Sequence, residues 1–176
     1  MELWDLYDKN RKPLNKTRER CDPNDLNPGE YHIIVEVWTV DSRGRILLTL
    51  RDESKETYPG KWENTGGSAL SGERSDVAAA RELFEETGIE ALPESLKLIY
   101  MRREKHAFLD TYIFRRDVDL SGIRLQPGET VDCKWVTMRE LENMIANGFV
   151  ARPVIDRLYD YRNVFERVVR QTANIK

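Results

Sequence analysis

The run YHIIVEVWTV, residues 31 to 40, the turn DSRG and then RILLTLR, residues 45 to 51, constrain the fold more than any other part of the chain. β-Branched and aromatic residues fill both halves and a short polar break separates them, so the sequence predicts an adjacent pair of strands. Upstream, ELWDLYD and KNRKPLNKTRER read as two short strands around a polar turn at Asp8 to Arg11, a hairpin added before the main body. The Pro, Asn and Asp cluster from Cys21 to Glu30 is a loop.

Downstream, DESKETYPGKWENTGG is a long loop holding one short strand around Trp62, which reads as a core residue. A helix follows, with Ser75 as its N-cap and Gly88 as its stop, and Val77, Ala80, Phe84 and Thr87 as its apolar side. SLKLIYMRRE, FLDTYIFRRDV and VDCKWVT are further strands, and MRELENMIANG is a helix ending at Gly148. A last helix, opened by Pro153, carries Val154, Leu158, Tyr161, Phe165 and Val168 along one face. Strands interleaved with helices, some joined by tight turns, predict an α/β fold with a mixed sheet between helices.

With 176 residues, 40% of them hydrophobic, the chain suits one domain with a real core. The expected parts are a hairpin and loop extension over 1–30, a core over 31–150 and a C-terminal helix over 151–176. Lys and Arg total 28 against 31 Asp and Glu, a net charge of −3 without a long basic run. That argues against duplex nucleic acid as partner and leaves room for a small anionic substrate held by local cations. No basic region followed by an apolar run opens the chain, and no apolar segment approaches twenty residues, so a cytoplasmic protein without a membrane partner is expected. Cys21 and Cys133 stand far apart and read as reduced thiols.

The stretch RELFEETG, residues 81 to 88, places Glu82, Glu85 and Glu86 at helical spacing. Like charges four apart cost an exposed helix only about 0.2 to 0.5 kcal/mol per pair, so crowding alone decides nothing. Hard oxygen ligands are also what magnesium and manganese select. Reading outward gives Gly67, five residues, Glu73, seven residues, then Arg81-Glu82-Leu83, Phe84, Glu85-Glu86, Thr87 and Gly88-Ile89. Arg81 can restrain a carboxylate by a charge-assisted hydrogen bond, and a Gly66-Gly67 turn can bring backbone carbonyls near the same point.

This pattern resembles the signature of the Nudix hydrolases at every fixed position, a match expected by chance on the order of 10⁻⁶ or less. The resemblance implies a Nudix-type α/β/α sandwich and a phosphoanhydride hydrolase using Mg²⁺, or Mn²⁺ in its place. It implies Glu85 and Glu86 as metal ligands, Glu82 as ligand or general base, Glu73 as further ligand or helper, and the Gly67 carbonyl as a ligand. In some relatives the base comes from a later loop, where Glu129 in QPGETVDCKW is best placed here. The choice between Glu82 and Glu129 stays open.

Further pieces, WDLYD, GEYH and RILLTLRDESKETYPGKWENTGG, resemble the Nudix branch that includes isopentenyl-diphosphate isomerase. That resemblance implies cations near a diphosphate at Arg51 and Lys55, whose spacing out of a strand aims both at one loop mouth. Tyr58, in the same loop, can stack on a base or wall the pocket. The isomerase's catalytic cysteine and a metal-binding histidine fall at positions that read Gly66 and Ser68 here, and neither hydrogen nor hydroxymethyl replaces a thiol or an imidazole. Isomerase chemistry is therefore disfavoured. His32 and His106 read as structural. The expected function is hydrolysis of a nucleoside diphosphate linked to another moiety, with the isomerase and a non-catalytic diphosphate sensor as alternatives. The amphipathic last helix suits either the core of a monomer or the seam of a homodimer.

Overall fold

In the computed structural model, which describes residues 2–173, the two expected strands form but hardly pair with each other. Strand β3 (His32–Val40) meets β4 (Ile46–Arg51) only at Val40 and Ile46, beside the turn. Both strands are nearly continuous apolar runs, so each can be covered on both faces and is free to take other neighbours. β3 pairs in parallel with β8 (Ala107–Arg115) over its whole length and antiparallel with β6 (Thr65–Ser68). β4 pairs with β5 (Trp62–Glu63) and β9 (Thr130–Val136), while β7 (Lys97–Arg103) closes the far edge on β8. The result is a mixed seven-stranded sheet. As predicted, β1 (Leu3–Tyr7) and β2 (Pro13–Glu19) form a separate two-stranded hairpin. Met1 and residues 174–176, the ends of the expected domain and last helix, lie outside the described residues.

Alternation along β3 sends Ile33, Val35 and Val37 toward helix α1 (Ser75–Thr87). Trp38 and Val40 point to the opposite face, under α2 (Met138–Ala146) and α3 (Arg152–Ala173). The α3 stripe of Val154, Leu158, Tyr161, Phe165 and Val168 is buried as expected. Each such side chain contributes about 1.5 to 3 kcal/mol by leaving water. Trp62 is half-buried against this layer, with the Lys134 ammonium 3.9 Å from its ring centroid. α2 begins with a capping box, Thr137 accepting from the Glu140 amide while the Glu140 carboxylate accepts from that of Thr137. Among the described residues no helix is long and apolar enough to cross a membrane.

Two expectations about α1 fail. Ser75 is its first helical residue rather than its cap; the N-cap is Arg74, and the Ser75 hydroxyl shares a 2.6 Å hydrogen bond with Tyr112. Of the expected apolar side, Thr87 is buried and Ala80 partly so, but Val77 and Phe84 are exposed, and Ala78, Ala79 and Leu83 face inward instead. Hydropathy alone favoured the larger side chains, whereas a helix lying close on a sheet needs small ones between backbones. Gly88 ends the helix as expected, at φ 71° with its amide donating to the Phe84 carbonyl.

The hairpin is tied to the sheet by Trp4, whose indole stacks on His32 at 3.9 Å between ring centroids. Burial holds the His32 imidazole down, to a pKa of about 4. The folded value lies below the unfolded one of about 6.5, so the unfolded chain binds more protons between them. Stability from neutral His32 is thus complete above about pH 6.5 and is lost as pH falls toward 4, a span worth about 3 kcal/mol. Urea unfolding midpoints are expected to drop between pH 7 and 4.5, and His32→Phe, which keeps a ring against Trp4, should flatten that slope. An equal slope in the variant would assign the effect to other groups.

Candidate active site

Sequence places the acidic helix next to the glycine strand, and the structure gives the reason both glycines are there. Gly66 and Gly67 lie in extended β6, opposite Glu36 and Val35 of β3, and do not form the expected turn. Their value is the missing side chain. A Cβ on Gly67 would run into the Glu82 carboxyl group, and one on Gly66 would stand 3.0 Å from the Val35 carbonyl oxygen. α1 therefore sits close enough for Glu82 to rest on bare backbone.

The acidic residues do not all face away from the core. Glu82 and Glu86 adjoin the buried residues Leu83 and Ala79 on the sheet side of the helix, and only Glu85 is exposed. Arg81 organises the outer ones. Its guanidinium donates to both Glu73 oxygens at 2.9 Å, to Glu82 Oε1 and Glu85 Oε2 at 3.0 Å, and to the Ser68 carbonyl at 2.9 Å. Glu73 also accepts from the Leu70 amide at 2.9 Å. One cation thus fixes Glu73, Glu82 and Glu85, which supports the restraining role expected of Arg81.

Deeper in, Glu82, Glu63 and Glu86 form a carboxylate cluster in which Glu86 has no ion-pair partner among the described residues. Burial raises the Glu82 pKa to about 7, against the pull of Arg81. Glu86 is pushed well above the ordinary carboxylate range by burial, then by repulsion from Glu63 and Glu82, and its Oε2 is buried without a hydrogen-bond partner. Glu63 is also raised by burial, with Arg51 opposing. Unpaired buried carboxylates are costly, and a bound cation relieves that cost. Hard oxygen donors, an orphaned Glu86 oxygen and the bare backbone of Gly67 fit a divalent ion, although no three metal-binding side chains among the described residues stand at closed-site spacing.

The other expected residues divide into two ion pairs. Arg51 donates to Glu63 at 2.8 Å and to the Thr57 carbonyl at 3.0 Å. Lys55 pairs with Glu129 at 2.6 Å, near the surface. Arg51 and Tyr58 line a cleft of about 270 Å³ with Glu63, Gly66, Gly67 and Arg157; Lys55 and Glu129 do not. Tyr58 is exposed, at φ 52°.

Glu36, Glu63 and Arg157 escaped sequence reasoning. Glu36 left a signal, being the one charged residue inside the apolar run HIIVEVWTV. Buried, it accepts from Tyr161 at 2.6 Å and Thr111 at 2.7 Å, and Arg157 stands 3.9 Å from its second oxygen. A charge kept in a core strand marks a position with a task besides packing.

A family model described as NUDIX domain matches residues 30–158. The chain is 34% identical over 165 residues to an uncharacterised Nudix hydrolase of Listeria monocytogenes, covering 93% of this chain and 96% of that one. It is 30% identical over 174 residues to isopentenyl-diphosphate delta-isomerase of Schizosaccharomyces pombe, covering 83% and 74%. The crystal structure of DR0079 from Deinococcus radiodurans superposes with a TM-score of 0.69 at 24% identity, over 85% of this chain and 92% of that one.

Proposed function

The chain belongs to the Nudix family, and on that premise we propose that it is a Mg²⁺-dependent pyrophosphohydrolase cleaving a phosphoanhydride bond in a nucleoside diphosphate linked to another moiety. The observation that carries the proposal is the orphaned carboxylate oxygen of Glu86, buried in a cluster with Glu82 and Glu63. In this reading the whole chain is one Nudix domain, and Glu82, Glu85, Glu86 and the Gly67 carbonyl hold the ion, with Glu73 behind them. Bound Mg²⁺ screens the charge of the diphosphate and makes water a better nucleophile.

The chain's own residues do the rest. Arg81 keeps Glu73, Glu82 and Glu85 in register, and Glu82, held against the bare backbone of Gly67, is placed to take a proton from the attacking water. Its position on the glycine strand favours it as base over Glu129, whose carboxylate is engaged by Lys55 at the surface. Arg51 and Tyr58 bind the substrate from the cleft wall, and Lys55 offers charge at its mouth. Ion-paired as it is, Arg51 can hand part of its charge to a phosphate only by loosening its hold on Glu63.

The test is a panel of nucleotide sugars, dinucleotides, coenzyme A and deoxynucleoside triphosphates with Mg²⁺, read by phosphate-containing products. Tyr58→Ala is expected to raise KM about 3- to 10-fold on the best substrate with kcat nearly constant, the signature of lost ground-state stacking. Binding without turnover would favour a sensor. The likeness to the isomerase gives a second reading, tested by label exchange between isopentenyl and dimethylallyl diphosphate. The crowding at Gly66 weighs against it, since a side chain there would press on the Val35 carbonyl.

A further inference from the structure

The only two histidines of the chain, His32 and His106, line the same cavity of about 330 Å³. It forms where the N-terminal extension meets the sheet, with Trp4 and Arg20 on one side and Lys105 and Arg157 on the other. The cavity adjoins the substrate cleft, because Ile34, Ser68 and Arg157 line both.

Its chemistry is rich in donors. The Trp4 indole nitrogen, both ring nitrogens of His32 and Nδ1 of His106 are buried without a hydrogen-bond partner, and His32 is only 1% exposed. A neutral imidazole donates from one nitrogen and accepts at the other, so the indole N–H of Trp4 and the one N–H of His32 cost stability unless something accepts from them. Arg20 pairs with Glu2 at the surface, 2.6 Å away. Lys105 donates to the neutral Asn24 side chain at 2.9 Å and has no carboxylate at ion-pair distance among the described residues. Glu104 is the one carboxylate in the lining, and Arg102 at 2.8 Å and Arg157 at 3.0 Å already hold it. Of the three lining cations, Arg20 and Arg157 already have carboxylate partners in Glu2 and in Glu104 with Glu36, and Lys105 has none among the described residues.

A phosphomonoester suits this lining, since it carries about two negative charges and accepts several hydrogen bonds while donating none near neutrality. We propose that the cavity is a second anion subsite, taking a phosphomonoester that the substrate carries on the moiety beyond its scissile diphosphate. The proposal rests on the hydrolase reading for what the substrate is, but its binding half is testable without turnover.

With two imidazoles in the chain, ring resonances report the cavity directly. Titrating the full-length protein with inorganic phosphate, with acetate as the carboxylate control, is expected to shift both imidazoles saturably with phosphate alone. Adenosine 3′,5′-bisphosphate should bind at least tenfold more tightly than 5′-AMP. Lys105→Ala, an exposed position, should reduce that ratio to near one. Imidazoles that do not respond, equal affinities for the two nucleotides, or a ratio untouched by Lys105→Ala would each overturn the subsite. In a parallel arm, NADPH should be hydrolysed at least tenfold more efficiently than NADH. If no compound of the diphosphate panel is hydrolysed while the imidazoles still respond, the hydrolase reading fails and the anion subsite stands.

Discussion

Glu86→Gln is expected to leave the protein more stable and at least a hundred times less active. The two effects share one cause. The Glu86 carboxyl is driven well above the ordinary carboxylate range by burial and by its neighbours Glu63 and Glu82. A group whose folded pKa is raised contributes stability below its unfolded pKa and loses it as pH rises through the folded value. At neutral pH the residue is therefore a liability to the metal-free fold, and a neutral amide of the same shape should relieve about 1 to 3 kcal/mol. For a chain of this size that is several degrees in the unfolding midpoint, measured in chelator. Activity moves the other way, because losing one preorganised charge at a reacting centre costs about 10² to 10³ in rate. Mg²⁺ should raise the midpoint of the wild type and leave the variant nearly unmoved. Full activity in the variant would mean that the metal is held elsewhere.

Gly67→Ala separates fold from chemistry from the opposite direction. The added methyl would collide with the far end of the Glu82 side chain rather than with backbone. Gly67 is not among the glycines at positive φ, so the extended backbone itself tolerates alanine. The carboxylate is expected to swing aside at a stability cost of about 1 kcal/mol or less, since its displacement is a side-chain matter. The swing also removes it from Arg81 Nη1, 3.0 Å away, and from the strand it rests on. Misplacing a reacting group by about 1 Å costs roughly a hundredfold, so kcat should fall by that order while urea midpoints barely change. A variant with wild-type kcat would show that Glu82 need not lie on the glycine strand.

How much of this could be read from the chain depended on whether the deciding contact was local. Glu82, Glu85, Glu86 and Arg81 are neighbours along one helix, so their convergence follows from 3.6 residues per turn. The α3 stripe from Val154 to Val168 follows in the same way. The turn between β3 and β4 was also legible, but their pairing was not, because register between strands distant in sequence is settled by the whole sheet. The inward side of α1 is only partly legible, through Ala80 and Thr87, because Ala78 and Ala79 carry little hydropathy although their small size, with the bare backbone of Gly67, lets the helix approach β6. Glu63 went unnoticed beside Trp62, since nothing local shows that the next turn of chain brings it against Glu86.

The parallel pairing of His32 with Ala107 closes a loop of 75 residues, 107 minus 32, and every β3 residue through Val40 keeps that register with β8. α1, β6 and the cleft loop all lie inside this loop. Loop closure of that length must come before the contacts that reward it, which makes such topologies slow to form. Until β8 docks, β3 lacks its main partner along one edge, and Glu36 lacks Thr111. Recovery of metal affinity during refolding should therefore lag behind helix formation and rise together with the burial of Trp38.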